Sequence, residues 1–201
     1  SGADWFACYQ ETHNKGLFVK LRPDQDYEER FNQKKWARQA GLLTEEGIMI
    51  GVGETIDDRA HSIEVMCQEG VQQVRAMTFI PQINTPMEKK KVATHLDELV
   101  TLATMRLVHQ DKLIPASLDI EGVRGLKPRL DAGANVITSI IPPEKGLAGV
   151  AQHNLEIETG ERSPNSIELI LSKLELDIAT SNDYNHLLTN WKEKMNFQVM
   201  M

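Results

Sequence analysis

Three polar residues interrupt apolar stretches and could together hold one small molecule. Arg75 lies inside VRAMTF, and Ser117 and Asp119 stand two apart in PASLD. A guanidinium in an apolar strand needs a carboxylate or phosphate partner. Residues two apart on a strand share a face, so the Ser117 hydroxyl and the Asp119 carboxylate would be presented side by side. Such a set can clamp an α-amino acid, with Arg75 on its carboxylate, Asp119 on an ammonium and Ser117 as an orienting hydrogen bond. Two plainer readings use the same residues: an internal ion pair between Arg75 and Asp119, or an aspartate that caps a helix.

A second stretch is GIMIGVGET, from Gly47 to Thr55. An apolar run ends in a glycine turn, followed by an acid and a threonine at the start of a helix. Gly51 and Gly53 let a backbone turn tightly or pass close to a ligand. The turn fails the dinucleotide fingerprint G-x-G-x-x-G, because Ile56 stands where the third glycine belongs. A tight turn with no ligand remains open on spacing alone. The six histidines form no H-x-x-x-H or H-x-x-H pair, and the two cysteines, Cys8 and Cys67, have no metal-binding spacing. No metal site is expected. The basic run Lys89–Lys91 reads as a solvated loop.

These residues fall at the ends of predicted strands. The pattern predicts strands at Trp5–Tyr9, Ile48–Val52, Gln73–Phe79, Leu113–Leu118 and Asn135–Ile140. A loop carrying Leu21, Arg22 and Pro23 leads to Asp26, a helix cap with Glu29 three residues on. Helices are predicted over Tyr27–Ala40, Ile56–Glu69 with an apolar face of Ile63, Met66 and Cys67, and Thr94–His109. The last has a predicted inward stripe of Leu96, Leu99, Val100, Ala103, Leu107 and Val108. Further helices follow over Gly122–Ala132 and from Ser163-Pro164 to Leu174, and one capped by Asn182 or Asp183 runs to Glu193, with a helical turn at 146–150. Strands alternating with helices mean βα units and a parallel sheet, either doubly wound or barrel-like. Ligands bind at the carboxyl ends of such strands.

The chain has 201 residues and a net charge of -7. That length can bury a core, and the acidic balance argues against nucleic acid or an anionic membrane surface as partner. No apolar run is long enough to span a bilayer. Two unpaired cysteines and no leader-like segment point to a reducing, cytoplasmic setting. FACY follows so soon after Ser1 that the chain is expected to begin inside a domain.

Taken together, YQETHN (9–14), LRPDQDYEERF (21–31), EEGIMIGVGET (45–55), QVRAMTFIPQ (73–82), the run from Ile114 to Pro143 and GLAGVAQ (146–152) resemble the biotin synthase-like branch of radical S-adenosylmethionine (SAM) enzymes. Within it, the likeness is to the methylornithine-forming enzymes that rearrange L-lysine. The resemblance implies an α/β fold with a partial (β/α) TIM-type barrel, roughly its strands four to eight. Residues 1–180 would be the carboxy-terminal part of that barrel, and 181–201 a carboxy-terminal helix and tail. It implies SAM as cofactor beside a 4Fe–4S cluster, with an amino acid, L-lysine, as substrate. By the same resemblance, Glu11 would bind the methionine amino group of SAM and Arg30 its carboxylate. Gly51 and Gly53 belong to the family's G-x-I-x-G-x-x-E strand beside adenine, with Met49 replacing the isoleucine. Arg75, Ser117 and Asp119 match substrate-binding positions.

One family feature is absent. The cluster-binding CxxxCxxC does not occur in the chain, and a 4Fe–4S cluster normally needs thiolates. The chain alone is therefore expected to hold no cluster and to be inactive, with no catalytic residue of its own. Its expected complement is the missing amino-terminal half of the barrel, or another copy of itself through open sheet edges. Two other readings stay open: a relative in the same branch acting on a different amino acid or as a maturase, and a non-catalytic half-barrel that assembles with a partner.

Overall fold

Side-chain caps and glycine stops divide the chain into its elements. The computed structural model describes residues 2–143, 147, 156–157 and 159–199, with side chains to Met195. Five strands alternate with helices: β1 (Trp5–Ala7), α1 (Lys15–Leu21), α2 (Tyr27–Gln39), β2 (Leu43–Ile50), α3 (Ile56–Gln68), β3 (Gln73–Thr78), α4 (His95–Val108), β4 (Pro115–Ser117), a 3-10 turn (Gly122–Gly125) running into α5 (Leu126–Asp131), β5 (Val136–Thr138), α6 (Pro164–Lys173) and α7 (Ser181–Val199). Asp26 accepts from Glu29 N–H at the start of α2, and Thr55 and Thr94 form reciprocal capping boxes with Asp58 and Asp97.

β1, β2 and β3 form one parallel sheet, and β4 and β5 a second. A single parallel bridge, Gln73 with Leu113, joins them, so the five strands run in chain order as an open, all-parallel arc. This is a partial (β/α) barrel that does not close. Along β2 and β3, Ile48, Ile50, Val74 and Ala76 face the helices and pack with Ile63, Met66, Leu102 and Met105. The alternate residues, among them Glu45, Gly47 and Arg75, lie on the opposite, concave face. A smaller cluster of Leu43, Leu188, Trp191 and Met195 seats α7 against the first two strands. Among the described residues no helix is long and apolar enough to cross a membrane.

The structure departs from the sequence reading in several places. α1 occupies what was expected to be loop, because the Asn14 side chain accepts from Leu17 N–H and starts a helix. β2 begins at Leu43, five residues before the predicted Ile48. Glu45 and Glu46 are tolerated inside it because each meets a cation, Arg75 and Lys34 respectively. α4 is turned the other way from the predicted stripe. Glu98, Thr101, Leu102 and Met105 are buried, whereas Leu96, Val100, Leu107 and Val108 are exposed. The cause is polar: Arg129 donates twice to Glu98, at 2.6 and 3.0 Å, and Thr78 donates to it at 2.7 Å, which draws that face inward.

Cys67 is exposed, and Ser62 shares the buried face of α3 with Ile63 and Met66. β1, β4 and β5 are shorter than predicted. The segment predicted as one helix from Gly122 opens as the 3-10 turn. Thr180 caps α7 through a reciprocal pair with Asp183, in place of Asn182 or Asp183. The predicted turn at 146–150 and the GLAGVAQ segment lie, apart from Leu147, outside the described residues.

Candidate functional site at the strand ends

The concave face carries a charged row that runs from the amino-terminal half of β2 and β3, at Glu45 and Arg75, to the carboxyl ends of β4 and β5, at Ser117 and Thr138. Arg75 Nε donates to Glu45 Oε1 at 2.7 Å, with the two side chains 13% and 10% exposed. The ion pair expected between Arg75 and Asp119 is therefore corrected: the partner of Arg75 is Glu45, one strand away. Arg75 also sits over the Tyr9 ring, 5.8 Å from its centre, and its Nη1 reaches toward Thr138 Oγ1 at 3.4 Å. Its Nη2 has no hydrogen-bond partner among the described residues. Burial, and then the Glu45 and Glu11 carboxylates, push the Tyr9 phenol upward, against the opposing pull of Arg75. Tyr9 is therefore a neutral wall of the site. Gly47 is needed here, because a Cβ on it would come within 3.0 Å of Tyr9 Cδ1 and 3.3 Å of Arg75 Cβ.

β5 links Arg75 to the other two predicted residues. Thr138 is followed by Ser139, whose left-handed backbone (φ 65°) turns its hydroxyl onto Asp119 Oδ2 at 2.7 Å and within 3.3 Å of Ser117 Oγ. Asp119 is further paired with Arg162, at 2.8 Å, and Arg162 is fully buried while donating to Ser139 O. Ser117, Asp119 and Arg75 thus sit along one polar row, with Arg162 behind it.

Glu11 stands at the mouth of β1 in the left-handed region (φ 66°). Its N–H is bonded to Gly47 O and its carbonyl accepts from Met49 N–H. Its carboxylate is paired with Arg22 at 2.7 Å. Arg30 donates from Nε to Tyr9 O at 2.8 Å and from Nη1 to Gln25, so it borders the same strand end without a hydrogen bond to Glu11. An acid paired with one guanidinium, with a second guanidinium on the Tyr9 carbonyl, has the donors and acceptors that the ammonium and carboxylate of an amino acid require. The chemistry of this corner therefore fits the methionine end of SAM.

The GVG turn is internally satisfied. The Glu54 carboxylate accepts the N–H groups of Gly51, Val52 and Gly53, at 2.9, 2.9 and 3.1 Å, and pairs with Arg59 at 2.8 Å. Gly51 and Gly53 have φ of 92° and 120°, and a Cβ on Gly51 would press within 3.1 Å of Ala93 Cβ. Both glycines serve a tight turn beneath the loop before α4, whose Lys89–Lys91 are exposed. An iron–sulfur cluster does not fit. Among the described residues no group of three or more His, Cys, Asp or Glu could hold a metal ion, and Cys8 and Cys67 are separate free thiols.

Several residues of this site were invisible in the sequence. Glu45 stands 30 residues from its partner Arg75 and Arg162 stands 43 from its partner Asp119, and Arg22 falls in a segment whose pattern reads as loop. The one available signal, for Glu45 alone, was that EEG puts charges directly before the apolar run Ile48–Ile50.

No family model matches the chain. The chain is 39% identical over 187 residues to the 3-methylornithine synthases of Methanosarcina acetivorans and of Methanosarcina barkeri, alignments that take in 93% of this chain and 53% of each relative. It is 33% identical over 140 residues to the FeFe hydrogenase maturase subunit HydE of Thermotoga maritima, covering 68% of this chain and 40% of that protein. The crystal structure of methylornithine synthase matches with a TM-score of 0.86 at 39% identity, over 92% of this chain and 55% of that one. A hydrogenase maturase, HydG, matches at a TM-score of 0.71 and 16% identity, which concerns the fold alone. The chain spans about half the length of the curated relatives it matches.

The all-parallel βα arc matches the barrel of methylornithine synthase, and the sequence likeness extends to a hydrogenase maturase and to biotin synthases, the biotin synthase-like branch of radical SAM enzymes. By sequence and fold the chain corresponds to a carboxy-terminal part of a radical SAM barrel of that branch. Its particular likeness is to 3-methylornithine synthase.

Proposed function

We propose that this chain supplies the amino-acid-holding portion of a radical SAM mutase that converts L-lysine to 3-methyl-D-ornithine. The observation that carries the reading is the polar row from Arg75 to Asp119, combined with 39% identity to 3-methylornithine synthase over 93% of the chain. The second terminal nitrogen of Arg75 takes the lysine carboxylate. Asp119, held by Arg162 and Ser139, takes an ammonium, and Ser117 orients it. Glu11 receives the methionine amino group of SAM and Arg30 its carboxylate, while the strand ending in Gly51 and Gly53 forms the adenine side.

When bound, SAM would supply a 5′-deoxyadenosyl radical, given an iron–sulfur cluster to reduce it. The cluster ligands are not in this chain, so the chain's own part is to bind, orient and exclude water. Residues 1–180 form the barrel portion, and 181–201 its closing helix and tail. The complementary partner is the amino-terminal half of such a barrel, which would pair along the open edges of β1 and β5; association with a second copy is the other use of those edges.

The test is anaerobic reconstitution of this chain, alone and together with a separately produced amino-terminal half of the Methanosarcina acetivorans relative. Methylornithine formed from isotope-labelled lysine by the mixture, and not by the chain alone, is the expected result. Stoichiometric 4Fe–4S uptake by the chain alone would overturn the expected inactivity. A second reading, a maturase role, has the 33% identity to HydE in its favour; it predicts no lysine turnover by the mixture.

A further inference from the structure

Behind the mouth of β1 lies a buried charge pair with no part in holding substrate. Lys34 of α2 and Glu46 of β2 meet at 2.5 Å, each side chain only 2% exposed. Beside the ion pair, Lys34 Nζ donates to the Gln10 side chain and to Cys8 O, each at 3.2 Å. The other oxygen of Glu46 accepts Gln10 N–H at 2.6 Å and Gly47 N–H at 2.8 Å. One turn earlier on α2, Arg30 holds Tyr9 O, and Gln10 Nε2 donates to Tyr27 O at 3.1 Å. The backbone from Cys8 to Gln10 is therefore fixed at three consecutive residues by charged groups. The next residue is Glu11, at φ 66°.

A buried ion pair contributes little net stability, because the desolvation of two charges offsets their attraction, and a well-packed apolar pair of similar volume often does as well or better. Here every hydrogen bond of the pair, apart from the ion pair itself, ends on the short segment before Glu11 or on Gly47, whose carbonyl accepts from Glu11 N–H. We infer that the Lys34–Glu46 pair is a positioning device for Glu11: it holds Cys8–Gln10 so that Glu11 takes its left-handed turn with its carboxylate at the mouth of the site. Lys34 and Glu46 are positioning residues, acting through Glu11, and the identity of the ligand rests on the SAM reading above.

The test uses the 201-residue chain with Lys34→Met and Glu46→Leu combined, and with Glu46→Gln alone as a milder, shape-conserving variant. Affinities for SAM and for 5′-methylthioadenosine, which lacks the amino and carboxyl groups, are measured by calorimetry. Hydrogen exchange is followed at the Glu11 amide, which neither altered side chain touches. The double variant is expected to keep its urea midpoint, lose about tenfold or more in SAM affinity, and keep methylthioadenosine affinity. Glu46→Gln should show the same pattern at smaller amplitude. SAM affinity unchanged in both variants, or SAM and methylthioadenosine affinities falling together, would overturn the inference.

If the unaltered chain binds no SAM, the cofactor reading fails and exchange decides the inference. A Glu11 amide exchanging at least about tenfold faster in either folded variant supports positioning, and an unchanged rate refutes it.

Discussion

Arg75 reaches Glu45 diagonally across two strands: the register sets Arg75 opposite Gly47, two residues beyond Glu45, yet the guanidinium Nε and the carboxylate meet at 2.7 Å. The diagonal leaves the far side of the guanidinium toward Thr138 and the polar row of β5. Glu45 thus fixes the orientation of Arg75 without using its whole hydrogen-bonding fork.

Arg75→Lys separates charge from orientation. A lysine keeps the positive charge beside Glu45 but lacks the planar fork. The charge beside Glu45 is kept and the chain should remain folded, as urea titration would show, while on the proposed lysine-binding reading the lysine turnover of the reconstituted enzyme should fall by about tenfold or more. Turnover equal to that of the unaltered enzyme would remove Arg75 from the substrate site.

The reversed face of α4 has a direct stability test. Leu102 is fully buried, so Leu102→Ala should lower the unfolding free energy by about 2–5 kcal/mol. Leu107 is 75% exposed, and Leu107→Ala should stay within about 0.5 kcal/mol. Comparable losses at both positions in urea titrations would contradict the observed packing.

His13 makes folding sensitive to acid. Its side chain is fully buried against Phe31, and its ring nitrogens have no hydrogen-bond partner. Burial, then the nearby charges of Lys34 and His61, lower its pKa from 6.5 to about 3. The folded state therefore binds fewer protons than the unfolded one below pH 6.5. The contribution is fully present above that pH and is lost as the pH falls toward 3, by at most about 1.4 kcal/mol per pH unit. In His13→Gln this part of the slope should vanish from urea titrations between pH 7 and 4; a slope identical to that of the unaltered protein would be the contrary result.

The two thiols should react differently. Cys67 is exposed on α3, whereas Cys8 is half-buried with Sγ bonded to Gln33 Oε1 at 3.2 Å. An aromatic disulfide reagent should titrate one thiol rapidly and the second only after denaturant is added, and Cys67→Ser should abolish the rapid phase.

The order of elements was legible because its signals are local. The Asp26–Glu29 spacing, Thr55 after a glycine turn and Pro164 after Ser163 each act within one helical turn. Arg75, Ser117 and Asp119 could be picked out because polar residues stood in apolar surroundings, and Glu11, Arg30, Gly51 and Gly53 through resemblance. The partners of these residues could not be read. Which carboxylate meets Arg75 depends on strand register, and which cation meets Asp119 depends on where residue 162 returns to the sheet. The face of α4 was misread for a related reason: its apolar residues encircle the helix, and a distant arginine, Arg129, selects the buried side by demanding Glu98.

The first strand and the last helix of the chain touch. Trp5 Nε1 donates to the Tyr184 hydroxyl at 2.7 Å, and the Trp5 and Trp191 rings meet edge to face at 6.1 Å. On a ribosome, β1 and β2 are synthesised long before the helix that covers Leu43. Their lower apolar surface must wait, wet and adhesive, until α7, which starts at Ser181, has emerged. Closing so long a loop adds little to the entropic cost, which grows only logarithmically with length, but it delays completion of the fold. The nascent chain therefore passes through a period in which a chaperone has something to hold.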